Sequence, residues 1–89
     1  MFNYFSPSAR RLRALVQSLH PSRLDTLQLT QLRDELIARQ AELPTGMLWK
    51  ILDQAQAAAK ATLDAPHTAL LQDIHYSAER ALANRNRAS

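Results

Sequence analysis

Four prolines, at positions 7, 21, 44 and 66, and a single glycine, Gly46, punctuate this chain. Proline lacks the backbone N–H and clashes with the turn before it, so it starts or stops helices rather than continuing them. Between the prolines the chain is rich in leucine, alanine, glutamine and arginine, all strong helix formers. It has no runs of Val, Ile or Thr of the kind that build strands. The segmentation predicts an all-α fold. The expected form is a small bundle of four helices over roughly 7–20, 30–43, 46–63 and 66–84, with a short turn or 3-10 segment at 22–27.

Apolar spacing supports each segment. In the first, Ser6 is the expected N-cap and Pro7 the first helical residue. Leu12, Leu15, Val16 and Leu19 then share one face. His20 closes this helix, where a partial positive charge suits the free carbonyls, and Pro21 ends it. Leu29, Leu32, Leu36 and Leu43 form the second face, while Leu24 and Leu27 fall off it, which is why 22–27 reads as a turn. The stretch LTQLRDELIARQAELPTG resembles the helix-and-turn of SAP-type nucleic-acid modules, but Gly46-Met47-Leu48 stands where those modules carry glycine followed by lysine. Thr45 is the expected cap of the third helix, whose stripe runs Leu48, Ile51, Leu52, Ala55, Ala59, Thr62 and Leu63. The fourth carries Leu70, Leu71, Ile74, Ala78, Ala81 and Leu82. Four such helices with short connections are expected to pack antiparallel to their neighbours.

At 89 residues the chain has room for one domain, expected over 1–84 with 85–89 as a frayed basic tail. Its hydrophobic fraction of 46% argues against intrinsic disorder. No segment is apolar for long enough to span a membrane, and no secretory signal is recognisable in the opening residues. The absence of cysteine removes disulfides, thiolate metal sites and thiol nucleophiles. A cytoplasmic location is the expectation.

The net charge of +3 is unevenly distributed. Residues 1–23 hold Arg10, Arg11, Arg13 and Arg23 and no acid, and residues 80–89 hold Arg80, Arg85 and Arg87 and no acid. All eight acidic residues lie between. Three of the five aromatic residues, Phe2, Tyr4 and Phe5, sit just ahead of the first arginines. Up-down-up-down packing would bring the start of the first helix and the end of the fourth to one end of the bundle.

Catalytic and metal chemistry find no foothold in the pattern. Asp34 and Glu35 are adjacent, so they point about 100° apart on a helix and form no paired carboxylate. His67 and His75 lie about 12 Å apart along their helix axis, too far to share one ion, and His20 would have to arrive from elsewhere. Nucleophile elbows, phosphate loops and metalloprotease motifs are missing. No catalytic residue, cofactor or metal site is expected, and the chain does not read as an enzyme. Trp49 lies on the flank of the third helix, where it either covers the end of the core or anchors a partner.

These features lead to an expected non-catalytic binding protein, an adaptor, regulator or stoichiometric inhibitor. It would dock on a larger protein with an acidic surface through Phe2, Tyr4, Phe5, Arg10, Arg11, Arg13, Trp49, Arg80, Arg85 and Arg87. The alternative is a small nucleic-acid-binding regulator using the combined basic end, for which the sequence pI near 10.0 speaks. Self-association through the alanine-rich AQAAAKA stretch is a further way for so small a chain to gain stability.

Overall fold

The computed structural model describes the backbone of residues 7–88, with side chains described over 10–86 except at Pro21. Within it the chain forms α1 (Pro7–Gln17), a 3-10 turn (Pro21–Arg23), α2 (Thr26–Arg39), α3 (Thr45–Ala61) and α4 (Ala65–Ala88). The architecture is an all-α bundle of four helices, with no strand among the described residues.

Around the bundle the order of neighbours is α1, α2, α4, α3. The α3–α4 seam is the most intimate. Ala55 and Ala58 on α3 and Ala78 on α4 are fully buried there, and their small side chains let two backbones approach closely. α4 also packs on α2, and α2 on α1. The fourth seam, α1 against α3, is closed mainly where the 3-10 turn touches α3.

Side-chain pairings give the directions. Arg33 of α2 meets Asp73 of α4 at 3.9 Å, and the guanidinium of Arg85 reaches the carbonyl of Gln40 at 2.9 Å, so α2 and α4 run the same way. Arg85 also meets Thr45, the first residue of α3, so α3 and α4 are antiparallel. On the other side, Arg13 shares a cleft with Gly46 and Met47, and His20 and Arg23 share one with Gln54 and Ala57. α1 and α3 therefore also run together. The expectation of uniformly antiparallel neighbours is corrected accordingly: α2 and α3, consecutive in sequence, occupy diagonal corners, and two of the four seams are parallel.

Leu12, Leu15, Val16 and Leu19 from α1 and the turn after it, Leu29, Leu32 and Leu36 from α2, and Leu48 and Ile51 from α3 close on Leu71, Ile74 and Leu82 of α4. Each buried leucine or isoleucine contributes on the order of 1.5–3 kcal/mol. Among the described residues no buried side-chain nitrogen or oxygen lacks a hydrogen-bond partner. The buried Ser18 hydroxyl, for instance, donates to the Leu15 carbonyl.

Helix boundaries differ from the sequence expectation for local reasons. α1 stops at Gln17 instead of 20, because the next N–H groups turn to nearer carbonyls: Ser18 divides between Ala14 and Leu15, and Leu19 bonds Val16. His20 caps the following 3-10 turn, its Nδ1 accepting from the Ser22 N–H at 3.2 Å. α2 begins at Thr26 rather than 30, because Asp25 is an N-cap whose carboxylate accepts the Gln28 N–H at 3.1 Å. It ends at Arg39, before the buried Leu43. α3 starts without a side-chain cap; Thr45, the expected cap, turns its hydroxyl to Arg85 instead. α4 begins at Ala65 under an Asp64 cap, the carboxylate accepting the His67 N–H at 3.0 Å. It continues past 84 to Ala88.

Candidate functional site

The arginines expected to bind a partner have separate fates. Arg10 is exposed. Arg11 lies 3.9 Å from Glu35, which also pairs with Arg39 at 3.1 Å. Arg13 lines the cleft between α1 and α3 beside Met47 and Lys50. Arg85 is structural: one terminal nitrogen donates to the Thr45 hydroxyl and the other to the Gln40 carbonyl, both at 2.9 Å. It thereby joins the end of α2, the start of α3 and the last turns of α4. Phe2, Tyr4 and Phe5 lie outside the described residues, as does the side chain of Arg87.

The two basic segments do reach one end of the bundle. Arg13 sits beside Gly46, and Arg85 bonds the neighbouring Thr45. Their helices nevertheless occupy opposite corners, since α1 and α4 are diagonal. The basic end is two patches flanking the α2–α3 connection.

Trp49 is half exposed, at 51%. At 100° per residue it shares the outward stripe of α3 with Asp53, Gln56 and Lys60.

A second exposed cluster lies astride α2 and α4. Tyr76 is 58% exposed and Ile37 52%. The Arg80 guanidinium lies 5.8 Å from the centre of the Tyr76 ring, a cation–π contact of about 0.5–1 kcal/mol at an exposed site. Together with Ser77 and Asn84 these residues line a cleft of about 270 Å³. Arg80 belongs to the sequence-derived set; Tyr76 and Ile37 do not. The available signal was Tyr76 and Arg80 at i and i+4, both off the α4 apolar stripe, a spacing that makes helical side chains neighbours.

Among the described residues no three His, Cys, Asp or Glu side chains are grouped to hold a metal ion. No helix there is long and apolar enough to cross a membrane. Comparison with protein-family models, curated proteins and solved structures finds no match to this chain.

Proposed function

We propose that this protein is a non-catalytic binding module that docks on a larger protein through an aromatic and arginine surface. The observation that carries the reading is the Ile37–Tyr76–Arg80 cluster. Ile37 and Tyr76 lie more than half exposed and share one cleft with the Arg80 guanidinium that stacks on the tyrosine ring. Tyr and Arg are the residue types that dominate binding hot spots, and a stacked pair is already partly ordered before a partner arrives. Trp49, half exposed on α3, is a further aromatic open to a partner.

The test is an affinity pull-down with nuclease present at about 0.15 M salt. A retained protein should be lost with Ile37→Ser or Tyr76→Ala, while the far-UV spectrum and melting point of those variants stay near wild type. Retention by both variants would remove the cluster from the binding surface.

The nucleic-acid reading draws support from the arrival of both basic segments at one end of the bundle. It weakens because Arg11 faces Glu35 and Arg85 is bonded to Thr45 and Gln40. Its signature would be binding to oligonucleotides that collapses steeply as salt rises.

A further inference from the structure

We infer that the open seam between α1 and α3 is a second binding site, one that receives an acidic, amphipathic helical segment of a partner protein. It is separate from the Ile37–Tyr76–Arg80 cluster, because in the order α1, α2, α4, α3 the two seams lie on opposite sides of the bundle.

Three observations carry this. The first is space. Two clefts of about 260 and 400 Å³ lie along the seam and share Gln17 and Lys50 as their common wall. The second is charge. Among the described residues the clefts are lined by Arg13, His20, Arg23 and Lys50 and by no Asp or Glu. Between other helices, Arg11 faces Glu35 and Arg33 faces Asp73. Arg23 and Lys50 are exposed and have no ion-pair partner among the described residues. His20 is tied to the 3-10 turn through Nδ1, which accepts the Ser22 backbone N–H. The third is the floor. Val16, Leu19 and Met47, each at most 9% exposed, lie beneath these polar walls.

A cationic rim over an apolar floor matches a helix with acidic flanks and apolar anchors, which reads as i, i+3, i+4 and i+7 contacts. From Met47 in one cleft to Gln54 in the other is seven residues of α3, about 10 Å along its axis. Two apolar side chains at i and i+7 of the incoming helix span the same distance, so each would enter one cleft. A phosphate backbone would use the rim and leave the floor empty, so the acidic helix is the better fit.

A displayed library of random helical peptides, selected in parallel against the full chain and against Arg23→Glu/Lys50→Glu, tests this. Both substituted positions are exposed, and a melting curve checks that the variant folds. The wild-type chain should enrich peptides with Asp or Glu beside apolar residues seven apart. Their affinity should fall at least about tenfold for the variant and be unchanged by Tyr76→Ala. Peptides made again with Lys in place of the acids should recover binding to the variant. Peptides without acidic bias, or ones that bind the variant as tightly as wild type, would overturn the seam as their site. Displacement of the peptides by oligothymidine at about 0.15 M salt would hand the seam to nucleic acid instead. Sensitivity to Tyr76→Ala with indifference to Arg23→Glu/Lys50→Glu would refute the seam while leaving the first docking surface intact.

Discussion

Removing the guanidinium of Arg85 should destabilise the protein by about 2 kcal/mol. The figure comes from its two hydrogen bonds, both at 2.9 Å. Hydrogen bonds to a charged group contribute about 1.5–3 kcal/mol each when desolvated. The one to the Thr45 hydroxyl is exposed, so solvent reduces it to the low end, about 0.5 kcal/mol. The one to the Gln40 carbonyl is partly buried and keeps about 1.5 kcal/mol. In a domain of this size about 2 kcal/mol corresponds to roughly 8–16 °C in melting temperature. Urea denaturation of Arg85→Ala, monitored by helical ellipticity, measures the loss directly. Thr45→Val should cost about 0.5 kcal/mol and show coupling to Arg85→Ala in a double-mutant cycle. Arg85→Lys should recover only part of the stability, because an ammonium cannot make the forked contact. Arg80→Ala, which gives up only the exposed stacking on Tyr76, should cost no more than about 0.5–1 kcal/mol. If Arg85→Ala matched Arg80→Ala, the guanidinium would be free at the surface, and the assignment of Arg85 to structure rather than binding would be wrong.

Other substitutions probe separate parts of the fold. Asp25→Ala should cost about 1 kcal/mol by removing the α2 cap, seen as a lower urea midpoint with an unchanged slope. Gly46→Ala should stabilise by about 0.4–1 kcal/mol, since nothing lies within 4 Å of the added Cβ and the residue has no positive φ; a lower melting temperature would contradict it. Ala58→Leu should destabilise by about 1–3 kcal/mol by wedging α3 from its neighbour, an effect that thermal melts would register. Leu63→Ser should leave stability within about 0.5 kcal/mol, because Leu63 lies fully exposed in the α3–α4 connection.

The helices were legible where the apolar period was long. Leu48, Ile51 and Ala55 announce α3, and Leu71, Ile74 and Ala78 announce α4. The start of α2 was not, because Leu27 is 65% exposed and breaks the apolar stripe, while the feature that fixes the start is the hydrogen bond from Gln28 to Asp25. The common end of the two basic segments followed from the number of helices. Their diagonal separation did not, since neighbour order depends on which small residues let two helices meet, here Ala55, Ala58 and Ala78. Arg85 looked like its neighbours Arg80 and Arg87 in sequence. Its distinct role depends on Thr45 and Gln40, about 40 residues earlier, which no local pattern connects to it. The cluster at Ile37 was hidden for the same reason, because Ile37 meets Tyr76 and Arg80 only once α2 and α4 lie side by side.

The shared direction of α1 and α3 gives their seam an electrical polarity. α3 begins at the Gly46 mouth and makes it the positive pole, while α1 is already in its last turns there and ends at Gln17, the wall shared with the cleft toward Ala57. A helix settling there gains most by presenting its own carbonyl end to that mouth. It would therefore thread in one orientation, head toward Ala57 and tail toward Gly46.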